Sequence, residues 1–219
     1  MFNDFKKVMT KEFEMTDIGQ MSYFLGVEVN QNKNGIFMSQ KKYVEQILQK
    51  FRMKDCKPVS TPAEAGMKLS ADSTREPINS TLFKSLVGSL RYLTFTRPYI
   101  MYAVGIISRY MEKPKQDHFI AAKRILRYIK GTLNHGLFYT YSQDEKLIGY
   151  SDSDYGGDMD DGKSTSGYAF HIGSVVFSCS SKKQQSVALS TCEAEYMAAT
   201  ACTCQAIWLK NILSELHLR

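Results

Sequence analysis

Two acidic pairs constrain this chain more than any other feature. Residues 150–157 read YSDSDYGG and carry Asp152 and Asp154; residues 193–199 read EAEYMAA and carry Glu193 and Glu195. The first pair follows a strand-like run, 146–151. The second opens a helix that Ser190 or Thr191 can cap, and its acids fall in the first turn, where the helix dipole favours them. Carboxylates from a strand end and a facing helix make a site for a hard divalent cation. Mg2+ is the natural choice, because it takes oxygen ligands and keeps water and phosphate oxygens in its shell. The helix and strand signals along the chain are expected to give an α+β fold.

The helix of the second pair has its own consequence. From 192 to 213 it is small or apolar nearly all round, which predicts burial on several sides. Glu195 shares a row with Ala199, Cys202, Ala206, Leu209 and Leu213. A carboxylate in that row is costly unless a metal or a buried donor takes it. The other reading is that the first turn protrudes and Glu195 is merely wet.

Upstream, apolar residues at helical spacing predict a short amphipathic helix over 2–13. The run MSYFLGVEV (21–29), then Asn34-Gly35, then 36–39, predicts a β-hairpin. A helix follows over 40–51, with Tyr43, Val44, Ile47, Leu48 and Phe51 on one face. Residues 57–80 hold Pro58, Pro62, Gly66 and Pro77 among serines and threonines. This linker is long for a compact domain and is expected to lie along the helices that follow. Those helices are predicted over 81–96, 99–111 and 116–130, a small bundle with short turns. Beyond it come strand candidates at 137–140, 146–151, 167–172, 175–180 and 186–189, with a hairpin at Gly173-Ser174.

Charge is unevenly spread. Residues 1–149 carry 23 Lys and Arg against 14 Asp and Glu; residues 150–219 carry 5 against 8. A basic front suits phosphates and an acidic back suits cations, although solvated charge gives the same count. The sharpest basic feature is Lys123, Arg124, Arg127 and Lys130 on one helix, with no acidic partner nearby in sequence. A phosphate backbone would relieve their repulsion. An ordinary wet helix face fits the same pattern.

Other chemistry finds little support. The five cysteines are irregularly spaced and read as reduced, intracellular thiols packed as small apolar side chains. His118, His135, His171 and His217 are scattered without a cysteine pair, which argues against zinc. Trp208 and the tyrosines read mainly as core. The N-terminal residues lack an apolar signal core and no run is fit to span a membrane, so an intracellular, non-membrane protein is expected. With 43% hydrophobic and 23% charged residues, the composition supports a folded core rather than disorder.

Eight stretches, in order, resemble the C-terminal part of the Pol polyprotein of copia-type LTR retrotransposons. They are FLGVEV (24–29), SQKKYVEQIL (39–48), CKPVSTP (56–62), FKSLVGSLRYLTFTRP (83–98), AAKRILRYIKGT (121–132), GYSDSDYGGD (149–158), KSTSGYAF (163–170) and LSTCEAEYMAA (189–199). One departure is Tyr99, where the family usually has an acidic residue after Arg-Pro.

The resemblance implies two parts. Residues 1–135 correspond to the end of a reverse transcriptase: a palm-end β-hairpin, the linker 57–80 and a helical thumb and connection. Residues 136–219 correspond to the N-terminal half of a ribonuclease H, an incomplete mixed sheet with one long buried helix. That enzyme cuts RNA in an RNA/DNA hybrid with Mg2+ held by four carboxylates. By motif, Asp152 and Glu195 match two of them, as catalytic residues and metal ligands, with Asp154 and Glu193 ranked below. The implied partners are an RNA/DNA hybrid or duplex nucleic acid, and the remainder of a Pol polyprotein. The polymerase's paired-aspartate loop and the later ribonuclease H carboxylates are not in these 219 residues. The expectation is therefore little catalysis by this stretch alone, an exposed edge on the strand bearing Asp152, and marginal stability for 136–219 in isolation. A non-catalytic nucleic-acid-binding module, or an expressed relic without function, is the alternative reading.

Overall fold

The computed structural model describes residues 2–16, 19–141, 146–173 and 175–216, with the side chains of 2 and 3 not included. His217 and Ser174 lie outside the described residues. The elements run α1 (Phe2–Glu12), β1 (Tyr23–Phe24), β2 (Val27–Asn32), β3 (Gly35–Ser39), α2 (Lys41–Lys50), α3 (Ser80–Leu93), a 3-10 turn (Pro98–Ile100), α4 (Met101–Ser108), α5 (Gln116–Gly131), β4 (Leu137–Thr140), β5 (Leu147–Ser153), β6 (Thr165–Ile172), β7 (Val175–Lys183) and α6 (Thr191–Glu215). Two antiparallel sheets result, in the orders β1-β2-β3-β4 and β5-β6-β7. The α+β class holds. The second sheet is antiparallel throughout its described strands rather than mixed.

The run MSYFLGVEV is not one strand. Leu25 (φ 47°) and Gly26 (φ 80°) are both left-handed and turn the chain between Phe24 and Val27. Two positive-φ residues in a two-residue loop suit the twist of a hairpin, and the glycine makes the turn cheap. The expected second hairpin forms with Lys33 and Asn34 as its loop, since Asn32 pairs with Gly35. Gly35 serves a different purpose from turning the chain. A Cβ there would run into the Tyr139 carbonyl, and one at Gly136 would run into the Met38 carbonyl. Both glycines let β4 dock closely against β3, so β4 continues the first sheet beyond residue 136.

The main core lies among α2, α3, α4 and α5. Val44, Phe83, Leu86, Leu90, Leu93, Ile107, Leu126 and Ile129 are all completely buried there. Each such side chain contributes about 1.5–3 kcal/mol relative to exposure. Asn79 caps α3 by accepting from the Leu82 amide at 2.9 Å. The linker 57–80 lies along α5, as its composition predicts. Ile78 N–H donates to the Pro114 carbonyl (3.0 Å), Gln116 N–H to the Glu76 carbonyl (2.9 Å), and Met67 and Leu69 pack on the core.

Two expectations are overturned. Residues 186–189 form no strand; Val187 and Leu189 are exposed and the segment leads directly into α6. α6 is not buried on several sides. Only Ala194, Ala198 and Leu209 are buried, while Tyr196, Ile207 and Trp208 are more than half exposed. The reason is geometric, for α6 lies against β5 and β6 along a single stripe of small residues. Composition counts apolar residues but does not say how many faces find a partner. Cys192 and Cys204, on the same helix, are likewise exposed, whereas Cys56, Cys179 and Cys202 are half-buried.

Arg97 ties the corner between α3 and α4 to the end of α5. Its side chain is wholly buried. It donates to the Thr132 carbonyl (2.8 Å), the Thr132 hydroxyl (2.9 Å), the Leu133 carbonyl (3.1 Å) and the Tyr99 hydroxyl (3.3 Å). Tyr99 therefore occupies, with a neutral hydroxyl, the position after Arg-Pro. Burial pulls the Arg97 pKa down and pushes that of Tyr99 up. Removing the guanidinium orphans two carbonyls at the end of α5. Arg97→Ala is expected to lower the unfolding free energy by about 3 kcal/mol in urea titration; a loss below about 1 kcal/mol would show that water replaces the guanidinium.

Candidate metal and nucleic-acid site

β5 is the edge strand of its sheet and its end carries Asp152. Side chains alternate along a strand, so Tyr150 and Asp152 share one face and Gly149 and Ser151 the other. The second face meets α6 at Ala199, Cys202 and Ala206. The first borders a cavity of about 640 Å³, with Pro98, Tyr99 and Tyr102 on the facing wall. Asp152 pairs in register with Gly167, so no cross-strand side chain crowds it. It is exposed, and among the described residues no donor engages its carboxylate.

Glu195 reaches the same strand end. Its Oε1 accepts from the Ser153 amide at 3.2 Å, and the side chain remains exposed. The wet first turn is thus the correct reading, yet the carboxylate sits beside Asp152 along the chain. The other two acids are engaged by the backbone. Asp154 Oδ1 accepts from the Thr165 amide, and its own amide donates to the Thr165 carbonyl (3.1 Å), closing the end of the β5–β6 pair. Glu193 Oε2 accepts from the Leu189 amide (2.6 Å) while its amide donates to Ser190 Oγ (3.1 Å), a reciprocal cap on α6. So Asp152 and the second oxygen of Glu195 are available to a ligand, and Asp154 and Glu193 are structural. Among the described residues no third His, Cys, Asp or Glu joins to make a metal-binding group.

The basic helix presents less free charge than its sequence suggests. Arg124 pairs with Glu64 of the linker at 2.6 Å and donates to Thr61 Oγ1 at 3.0 Å. Arg127 Nε donates to the Lys57 carbonyl at 2.8 Å. Lys123 lies over the Phe119 ring, 4.5 Å from its centre, and Lys130 is half-buried. The missing acid is supplied from 60 residues away, which spacing within the helix cannot reveal. His118 is buried, stacked on Tyr110 with ring centres 3.9 Å apart, and its two nitrogens meet the Lys115 amide and the Ser70 carbonyl, both at 3.0 Å.

The sequence reads 155–162 as a Gly/Asp turn, and a turn forms there; what sequence reasoning missed is its ion pairs. Asp158 is buried and bonds Arg109 of α4 at 2.9 Å and Lys183 of β7 at 3.0 Å. It also accepts from the amides of Asp160 (3.0 Å) and Asp161 (3.3 Å). Asp160 accepts from Ser70 Oγ at 2.6 Å and from the Ala71 amide at 3.0 Å, which ties the linker to the same turn. The only local signal was three acids between glycines; their partners are remote in sequence. The arginines of the neighbouring helices divide the same way: Arg97 is buried, Arg109 is paired, and Arg91 is exposed.

Comparison with known proteins agrees with the motifs. The profile of the reverse transcriptase (RNA-dependent DNA polymerase) family matches residues 1–65. The retrovirus-related Pol polyprotein from transposon RE1 of Arabidopsis thaliana is 40% identical over 211 residues, 96% of this chain and 14% of the polyprotein. That from transposon TNT 1-94 of Nicotiana tabacum is 42% identical over 219 residues, 96% of this chain and 16% of the polyprotein. An uncharacterised mitochondrial protein of Arabidopsis thaliana is 39% identical over 200 residues, 91% of this chain and 83% of that protein. The chain therefore spans about one sixth or less of the polyproteins it matches. No solved structure matches it. Among the described residues no helix is long and apolar enough to cross a membrane.

The acidic turn gives a pH signature. Burial pushes the Asp161 carboxyl up, but hydrogen bonds from Lys183 and Lys163 outweigh this and hold it well below the usual carboxylate range. For Lys183, burial lowers the pKa, while Asp161 and Asp158 outweigh burial and raise it. A depressed carboxylate stabilises fully above its unfolded value, near pH 4, and loses that contribution as pH falls below it. A raised lysine stabilises below about pH 10.5 and loses its contribution as pH climbs through the folded value. The Asp161 side chain is 34% exposed, which limits its share to under about 1 kcal/mol. Asp161→Asn is expected to lower the melting temperature by roughly 2 °C at pH 7 and by less at pH 2.5, where part of the contribution has been lost on the way down to the folded value. An equal deficit at both pH values would contradict this account.

Proposed function

Because this chain belongs to the Pol polyproteins of copia-type LTR retrotransposons, we propose that its two parts are the closing segment of the reverse transcriptase and the opening segment of a ribonuclease H. Residues 1–65 match the reverse transcriptase family. On this reading β1–β3 are the end of the palm and α3–α5 the thumb and connection. Residues 136–219 bring β5, β6, β7 and α6 of a nuclease acting on RNA/DNA hybrids, with Asp152 and Glu195 as metal-holding carboxylates.

The observation that carries this is the Glu195 carboxylate on the Ser153 amide, next to Asp152. It brings the helix acid to the end of the strand that carries Asp152. The donor set suits Mg2+, since both groups are hard oxygen donors, both are exposed, and each has an uncommitted oxygen. When bound there, Mg2+ would activate a water and stabilise the leaving oxygen of a phosphodiester. The chain's own residues do the positioning. Asp154 locks the strand end that carries Asp152, and the Ser190–Glu193 cap fixes the first turn that presents Glu195. The Ser153 amide holds one Glu195 oxygen and leaves the other turned to ligand. Two carboxylates form a weak site, so little or no hybrid cleavage by this stretch alone is part of the proposal.

Mn2+, a paramagnetic stand-in for Mg2+, tests the site directly. Added at millimolar level to the isotope-labelled chain, it is expected to broaden the amide signals of residues 151–154 and 193–196, and Asp152→Asn is expected to abolish this. Broadening centred on residues 158–161 would sink the assignment.

A further inference from the structure

We propose that the cleft between the linker 57–80 and α5 binds a small amphipathic anion, a carboxylate head on an aliphatic body. The site is separate from the strand end that carries Asp152, since none of its lining residues belongs to the second sheet. Its cavity has a volume of about 410 Å³, within the roughly 300–1,000 Å³ of ordinary small-molecule sites. One wall is a face of α5, where Ile120, Lys123, Arg124 and Arg127 stand at i, i+3, i+4 and i+7. The other wall is the linker, with Glu64, Met67, Leu69 and Arg75. Met53 and Ala121, both buried, complete the apolar part of the lining.

Two unmet demands define the ligand. The first is polar. Arg124 donates from one terminal amine to Glu64 at 2.6 Å and from the other to Thr61 Oγ1 at 3.0 Å. Its Nε is buried, and among the described residues it meets no acceptor. A buried N–H without an acceptor destabilises the fold. Arg127 donates from Nε to the Lys57 carbonyl, and among the described residues no ion pair engages Arg75, Lys123 or Arg127. Both acids of the lining are already engaged, Glu64 by Arg124 and Asp117 by the His118 amide at 3.0 Å. Four cations against two acids leave the cleft positive. The second demand is apolar. Ile120 is 58% exposed on a helix whose other face is core, and it borders the cavity with the half-buried Met67 and Leu69. Methionine adapts its shape to an irregular guest. An anion with an aliphatic body meets both demands, its head on Arg124 and Arg127 and its chain along Ile120, Met67 and Leu69. An inorganic anion would leave Ile120 in water, and an uncharged hydrocarbon would leave the Arg124 donor unpaired.

The test titrates the full, isotope-labelled chain with sodium decanoate below its micelle concentration. Saturable shifts are expected at the amides of Met67, Leu69 and residues 120–127. Decanol, which lacks the charge, and decyltrimethylammonium, which reverses it, are each expected to bind at least about 10-fold more weakly. Inorganic phosphate is expected to give no saturable shift in the cleft. Arg124→Lys keeps a positive charge beside Glu64 but removes the Nε donor, and is expected to weaken decanoate about 10-fold. Ile120→Gln changes an exposed position, so its melting temperature is expected to stay within about 2 °C of the parent while decanoate binds roughly 5-fold more weakly. Equal affinity for decanoate and decanol, shifts centred outside the cleft, or unchanged affinity in both variants would each overturn the proposal. Binding to anionic lipid vesicles without binding of monomeric decanoate would overturn it as well.

Discussion

One buried carboxylate holds the two halves of this protein in register. Asp158 sits in a turn of the second sheet, yet its charge is met by Arg109 of the helical half and by Lys183 of the neighbouring strand. A buried carboxylate is tolerable only with such partners, because the cost of leaving water is several kcal/mol per ion. Two cations and two amide donors meet that demand. The two cations also fix direction, since they come from different elements. Asp160, two residues on, ties the linker to the same turn. The cavity beside Asp152 has one wall on each half, Tyr99 and Tyr102 facing Tyr150 and Asp152, so its shape depends on this clasp.

The linker shows why charge pattern misleads about exposure. Read alone, α5 carries four cations in its second half and one acid, Asp117, in its first turn. In three dimensions the linker lies over it, and Glu64, Thr61 and the Lys57 carbonyl take up the two arginines. Arginine suits this work, because its planar fork can bond a carboxylate and a hydroxyl at once. α3 carries fewer cations, and among the described residues no ion pair engages its Lys84 or Arg91. Helical periodicity tells which residues share a face. It does not tell which face another segment will cover.

The same limit explains what was legible. The helices of the bundle, the capping serine and the hairpins of β2–β3 and β6–β7 follow from local period and turn chemistry, and they form where expected within a few residues. The pairing of β4 with β3 is non-local and was missed, although Gly35 and Gly136 mark it, since each lacks a side chain where the other strand's backbone passes. The exposure of α6 was missed because an all-round apolar helix needs several partners, and among the described residues this one meets a single three-stranded sheet. At the acidic site, motif and spacing singled out Asp152 and Glu195, whereas the partners of Asp158, on α4 and β7, lie beyond the reach of local pattern.

The four acids at the strand end divide by physical duty. Asp154 and Glu193 accept backbone hydrogen bonds, and bonds to a charged acceptor contribute more than neutral ones. They would stabilise the strand end and the helix start whether or not a cation is present. Asp152 and Glu195 stabilise little in the free protein, because one has no donor among the described residues and the other has one amide. A ligand that binds only the folded form adds stability in proportion to the logarithm of its concentration over its dissociation constant. On the proposed reading, a cation held by Asp152 and Glu195 would add stability to a strand end and a helix start that Asp154 and Glu193 already hold.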